Sequence, residues 1–211
     1  MDLPRILLAD DHSLILLGIR SLLEHFCEVV GQVEDGRALV EEACRLRPDL
    51  IILDVGMPQL SGIEAARQIR REWPQAKLLF LTMHSSPLYL QEALSAGGSG
   101  YLLKTSATDE LRTAVDRVLK GQIYIAAAFG PDALQRVLMN TRRRPAGPLT
   151  ARQLEVLQLI AEGRANRDIA GILNVSVKTV EFHRGRIMNK LGAHNTAELF
   201  ALAVRNHLVA D

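Results

Sequence analysis

Aromatic residues are scarce in this chain, at 4% of 211 positions, so its cores have to be built from Leu, Ile, Val and Ala. That composition suits helices packed on a buried sheet. Cysteine is scarcer still. Cys27 and Cys44 are the only two, and without CxxC spacing they read as buried thiols rather than as a disulfide or redox pair. Long hydrophobic runs are missing: stretches such as Leu14–Leu17 and Leu78–Leu81 fall far short of the ~20 residues that a membrane span needs. No basic segment followed by an apolar one opens the sequence, so a cytoplasmic address is expected. Nor is there a large excess of charge. The formal net charge is +1.

What is present is ordinary in amount and uneven in placement. Hydrophobic residues make up 48% and charged residues 23%, values of a globular protein that exclude a disordered one. Residues 1–140 carry 14 basic against 18 acidic side chains, whereas residues 141–211 carry 11 against 6. An acidic half joined to a basic half implies two modules with different partners, the basic one suited to phosphate backbones.

Along the first 120 residues, short apolar runs alternate with helical patterns. Arg5–Ala9, Glu28–Val33, Leu50–Leu53, Lys77–Thr82 and Gly100–Leu103 include several runs without alternation, as expected for strands buried on both faces of a parallel sheet. Apolar residues spaced three and four apart predict helices near 13–25, 36–46, 61–72, 86–96 and 107–119. Five strands alternating with five helices predict a doubly wound α/β domain with flavodoxin-like order. Residues 121–147 read as a connection: a short segment (Ile123, Tyr124, Ile125), a helix near 131–140, and an Arg/Pro/Gly linker at 141–148.

From about residue 148 to 211 an all-α domain of four helices is predicted. Thr150 and Gln153 form a capping box opening a helix to Ala161, stopped by Gly163. A second helix spans Asn166–Leu173, and Ser176 caps a third that runs to Leu191 and closes at Gly192. Asn195 or Thr196 caps the fourth, with Glu198 in its first turn. A short helix, a tight turn and a longer helix make the helix-turn-helix arrangement.

Open α/β sheets place their chemistry at strand C-termini. Asp10 and Asp11 end the first strand, Asp54 the third, Thr82 the fourth and Lys104 the fifth. Taken singly, Asp10 and Asp11 could cap a turn and Lys104 could lie in solvent. Together, three carboxylates repel one another unless a cation neutralises them, and oxygen-only ligands favour Mg²⁺. Asp54 would be a nucleophile, with Lys104 and the Thr82 hydroxyl left for phosphoryl oxygens. His12 and His84 fall near this pocket, but no His/Cys cluster has metal-ligand spacing, so zinc is not expected.

On the third helix of the basic half, Val180, Ile187 and Leu191 share a core-facing stripe, while Glu181, Phe182 and Gly185 occupy another face. Lys178, Arg184, Arg186 and Lys190 make this helix basic, and a major groove admits it. His183 reads as a packed helix residue.

The segments Leu8–His12, Leu53–Pro58 with Gly62, Leu81–His84 and Gly100–Lys104 resemble the receiver domains of response regulators. The segments Leu149–Leu157, Glu162–Gly163, Ile169–Ala170, Val175–His183 and Met188–Gly192 resemble the LuxR-type helix-turn-helix. The whole chain is therefore similar to NarL/FixJ response regulators of two-component systems. The resemblance implies that a sensor histidine kinase phosphorylates Asp54, and that Asp11, Asp54 and the Gly56 carbonyl hold Mg²⁺, with Asp10 acting through water. Thr82 and Tyr101 would report phosphorylation as switch residues. Glu181, Phe182 and Gly185 would face bases of promoter DNA, with Lys178 and Thr179 near phosphates. A homodimer is implied for the phosphorylated form, aided by Leu199, Leu202 and Ala203 on the last helix, with RNA polymerase as a further candidate partner.

Two departures stand out. Thr105 follows Lys104 where many receivers have proline, and Met83 is bulkier than the usual Ala or Gly, so it is expected to restrict water access to the pocket. A rival reading, an aspartyl-phosphate phosphatase, needs a second Asp two residues after Asp54, and that position is Gly56. Enzymatic turnover is not expected. DNA binding without phosphorylation, and a protein-binding adaptor, stay open on the residues alone.

Overall fold

The computed structural model describes residues 3–135, 137 and 149–205. Contact density divides the chain into two compact units, Met1–Ser85 with Ala93–Leu134 and Ser86–Glu92 with Gln135–Asp211. The linker expected at 141–148 and the later part of the helix expected near 131–140 lie outside the described residues.

The first unit is built on a parallel sheet with strand order β2-β1-β3-β4-β5-β6. Its strands are β1 (Arg5–Ala9), β2 (Glu28–Val33), β3 (Leu50–Leu53), β4 (Leu78–Thr82), β5 (Gly100–Leu103) and β6 (Tyr124–Ile125). Every residue of β3, β4 and β5 is buried, which is why these runs are apolar on both alternations. The sheet adds β6 to the five expected strands. It has two residues, too few to show a period, and is set by pairing of Tyr124 and Ile125 with Gly100 and Tyr101.

Helices α1 (Ser13–Leu23), α2 (Gly36–Leu46), α3 (Gly62–Glu72), α4 (Pro87–Ser95) and α5 (Ala107–Leu119) alternate with the strands. Their starts are encoded locally. Asp35 accepts from the amides of Arg37 and Ala38 to open α2, and Ser61 accepts from Glu64 to open α3. Each α3 turn sends an Ile or Ala into the core: Ile63, Ala65, Ala66 and Ile69 are fully buried. At about 25 cal/mol per Å² of apolar surface, each such Ile contributes roughly 1.5–3 kcal/mol.

In the second unit the capping box is present, with the Gln153 amide donating to Thr150 Oγ1 and the Thr150 amide to Gln153 Oε1. It opens α6 (Ala151–Ala161). Then follow α7 (Asn166–Ile172), α8 (Val177–Leu191) and α9 (Thr196–Arg205). Asn174, at φ +50°, makes the tight connection between α7 and α8, and Gly192, at φ +68°, ends α8. Asn195 rather than Thr196 caps α9, accepting from the Glu198 amide at 2.9 Å. Leu199 and Ala203, expected to aid dimerisation, are fully buried. Their face of α9 is committed to the core of the unit, and Phe200 points outward instead. No helix among the described residues is long and apolar enough to cross a membrane.

Candidate functional site

The parallel sheet brings four strand ends to one edge. Asp10 follows β1 and Asp54 follows β3; both are buried. Lys104 follows β5, and its Nζ reaches Asp10 Oδ2 at 2.6 Å and Asp54 Oδ2 at 2.7 Å. Residues 10, 54 and 104 are far apart in sequence, so this cluster exists only because β1, β3, β4 and β5 are laid side by side. Burial disfavours the charge on Lys104, but its hydrogen bonds to Asp10 and Asp54 and their negative charges outweigh that and raise its pKa above the ordinary lysine value. The ammonium therefore stays charged and offsets the cost of enclosing two carboxylates.

Backbone geometry fixes Asp54 further. Its Oδ1 accepts from the Val55 amide at 2.6 Å. Behind it, the Gly62 amide donates to the Val55 carbonyl at 2.9 Å, and a Cβ at position 62 would overlap the carbonyl of Asp54. Gly62 is needed so that the start of α3 can press against the loop that carries Asp54. At Gly56, a Cβ would have only His84 Nε2 within 4.0 Å, so the position is uncrowded.

Asp11 is exposed beside this centre. Among the described residues, Asp10, Asp11, His12 and Asp54 each offer a ligand atom within 4.8 Å of the others. This donor set, three carboxylates and an imidazole, can hold a divalent cation. Thr82 is fully buried, and its Oγ1 accepts from the His84 amide at 3.3 Å. Tyr101 is equally buried; its hydroxyl donates to the His84 carbonyl at 2.8 Å, and its ring meets Phe129 edge-on at 5.5 Å. The two switch candidates thus converge on one backbone segment, Thr82 to His84. Met83 is 63% exposed, whereas the imidazole of His84 lies close enough to Asp54 and Lys104 to feel both charges. Burial is the main cause of its lowered pKa; Asp54 opposes that shift and Lys104 adds to it.

The second candidate surface lies on α8. Val180 and Ile187 are fully buried, as the stripe predicts, whereas Leu191 at the end of the stripe is half-buried. Lys178, Glu181, Phe182, Gly185 and Arg186 are exposed. The guanidinium of Arg186 stands over the Phe182 ring at 4.8 Å, joining charge and apolar surface in one patch. Thr179 hydrogen-bonds Ser176 Oγ through its amide at 3.1 Å and exchanges a hydroxyl bond with it at 2.8 Å. Lys190 is half-buried. Arg184 differs from the sequence-based expectation: it donates to Asn166 Oδ1 at 3.1 Å and to Thr196 Oγ1, tying α8 to α7 and α9. No pattern on α8 alone distinguishes it from Arg186, because the partners sit on other helices.

An acidic pocket with a buried lysine at the edge of a doubly wound sheet, in a chain with an exposed basic helix in a helix-turn-helix, defines a two-domain regulator. Residues 6–116 match the response regulator receiver domain, and residues 147–203 match the bacterial regulatory proteins of the luxR family. The transcriptional regulatory protein MctR of Rhizobium johnstonii is 35% identical over 98% of this chain and 95% of its own length. The response regulator VraR of Staphylococcus aureus is 32% identical over 97% and 98%. A solved structure of the Salmonella typhimurium response regulator RcsB is 32% identical, covers 97% of this chain and 98% of its own, and superposes with a TM-score of 0.67.

The chain belongs to the NarL/FixJ response regulators, joining a receiver domain to a LuxR-type helix-turn-helix. Proteins of this kind are phosphorylation-controlled, DNA-binding transcription regulators, and this is one of them. That is not an enzyme class. Receiver domains generally bind Mg²⁺ at an acidic pocket, and an Asp-rich group is present here.

Proposed function

We propose that Asp54 accepts a phosphoryl group from the phosphohistidine of a sensor kinase, and that the resulting acyl phosphate controls promoter binding through α8. The bridging of Asp10 and Asp54 by Lys104 carries this reading. In the transfer, an Asp54 carboxylate oxygen attacks phosphorus, the phosphorus–nitrogen bond of the donor breaks, and the donor imidazole keeps the electron pair. The Asp54 oxygen held by the Val55 amide is oriented by backbone, which leaves the one facing Lys104 as the reacting atom. Lys104 then moves its charge from the carboxylate to a phosphoryl oxygen, and the Thr82 hydroxyl turns from the loop amide to a second one.

The donor set fits Mg²⁺: Asp11, Asp54 and the Gly56 carbonyl would hold it, with Asp10 acting through water. Bound there, the ion supplies positive charge to the phosphoryl oxygens. Displacement of Thr82 loosens its bond with the His84 amide, and Tyr101, which holds the same residue's carbonyl, senses the change. The reading divides the chain into a receiver at 1–120, a connection at 121–147 and a helix-turn-helix at 148–211. It places Glu181, Phe182 and Gly185 at base edges, Lys178, Thr179 and Arg186 towards phosphates, and the phosphorylated chain as a homodimer in the cytoplasm. It assigns Arg184 to holding α8 in place.

The test is selection from a random DNA library by the full-length protein, with and without acetyl phosphate plus Mg²⁺. An enriched inverted repeat that appears chiefly with the donor, and not with D54N, is the expected result. Equal enrichment in all arms would remove Asp54 from control, and no enrichment in any arm would remove DNA as the partner.

A further inference from the structure

Three of the four base edges in a major groove carry an acceptor: guanine N7 and O6, adenine N7, and thymine O4. Cytosine presents only an amino donor, and thymine alone adds a methyl group. The outer face of α8 suits those two exceptions. Glu181 is exposed, and its carboxylate accepts hydrogen bonds without donating any. The arginines that follow it are engaged elsewhere: Arg184 donates to Asn166 and Thr196, and Arg186 stands over Phe182. Among the described residues no ion pair neutralises Glu181. An unpaired carboxylate facing DNA is repelled by phosphates and by edge acceptors, so its favourable contact there is a cytosine amino group.

Phe182 is the apolar counterpart. It is 58% exposed, with the Arg186 guanidinium 4.8 Å from its ring centroid and the His183 ring edge-on at 5.8 Å. These two contacts hold the ring in place before any DNA arrives. Gly185, one turn beyond Glu181, has open space where a Cβ would stand, so no side chain there competes for the same base pairs. We propose that, with α8 set against base edges as assigned above, Glu181 and Phe182 make this chain a reader of two pyrimidines in neighbouring base pairs. Glu181 selects a cytosine by its amino group, and Phe182 selects a thymine by its methyl group. Adjacent helix residues are separated by about 1.5 Å along the axis and about 100° around it, which directs them to neighbouring pairs. Lys178 and Arg186 supply affinity without regard to sequence.

Selection from a random duplex library by the full-length protein, with acetyl phosphate and Mg²⁺, tests this in the wild type, E181Q, F182A and F182L. The enriched duplex is then resynthesised with deoxyuridine in place of thymine, which removes only the methyl group. The wild type should enrich a cytosine and a thymine at neighbouring positions. E181Q should exchange that cytosine for adenine, whose N6 donor and N7 acceptor match an amide. Deoxyuridine should weaken binding by the wild type and F182L about fourfold and by F182A less than about 1.5-fold. Any loss of support for Arg186 in F182A weakens both duplexes alike and cancels in that comparison. Unfolding midpoints report whether the variants remain folded. A site without neighbouring cytosine and thymine, a base preference that E181Q leaves unchanged, or wild-type binding indifferent to deoxyuridine each overturns the proposal and leaves DNA as the partner. Absence of any enriched sequence overturns both.

Discussion

The two units hold their functional side chains in opposite ways. In the sheet unit, Asp10, Asp54 and Tyr101 are buried and bonded to neighbours contributed by other stretches of chain, and Thr82 is buried beside them. On α8, Glu181, Phe182, Gly185 and Arg186 lie within six consecutive positions and face outward. The pocket is a tertiary object: change its surroundings and both stability and chemistry move. The helix face is a local object laid on an independent core, so its residues can change with little effect on folding.

That contrast can be broken by glycine substitutions first. Gly62→Ala forces a methyl group onto the Asp54 backbone and should cost about 3 kcal/mol in urea unfolding, with a matching fall in phosphorylation. Wild-type stability in this variant would show that the loop is not pressed as described. Next in size, Phe182→Ala and Glu181→Ala should each change discrimination at one base position of the selected site by about 1–3 kcal/mol, measured by competition binding, without moving the unfolding midpoint. A drop in the midpoint of either would mean that the reading face is also structural.

Gly185→Ala sharpens the comparison from the other side. Nothing lies within 4 Å of a Cβ there, so alanine should stabilise the folded protein by about 0.5–1 kcal/mol. Destabilisation would contradict the open face. The smallest expected effect concerns His183, whose pKa is lowered by burial first and then by Arg152, with Glu155 opposing and Arg186 adding to the shift. The folded state binds this proton less readily than the unfolded chain, so its contribution to stability is present above a pH of about 6.5 and is lost as pH falls towards the folded pKa. Unfolding midpoints at pH 7.5 and 5.5 should converge less in the wild type than in His183→Gln, which lacks that loss. Equal declines would remove His183 as a cause.

Much of this was legible in the sequence because the signals were local. Runs such as Leu50–Leu53 are too short for helices and read as buried strands, and Thr150 with Gln153, Ser176 and Gly192 marked helix ends that the structure places at the same residues. The order and spacing of Asp10, Asp11, Asp54, Thr82 and Lys104 drew attention to one sheet edge. What escaped notice depends on contacts made across the chain. β6 has no period of its own and is defined by β5. The inward turn of Arg184 is decided by Asn166 and Thr196. The burial of Leu199 and Ala203 is decided by which face of α9 meets its neighbours, and an apolar stripe looks the same whether it serves a core or a partner.

The brevity of β6 has a bearing on solution behaviour. A parallel sheet that stopped at β5 would offer a foreign strand four residues of unpaired amides and carbonyls, the kind of template on which aggregation starts. Tyr124 and Ile125 cover the Gly100–Tyr101 end of that edge and then leave the sheet plane in a short 3₁₀ turn at Ala127–Phe129. The border they leave is too short to be extended, so this edge of the sheet is closed to growth.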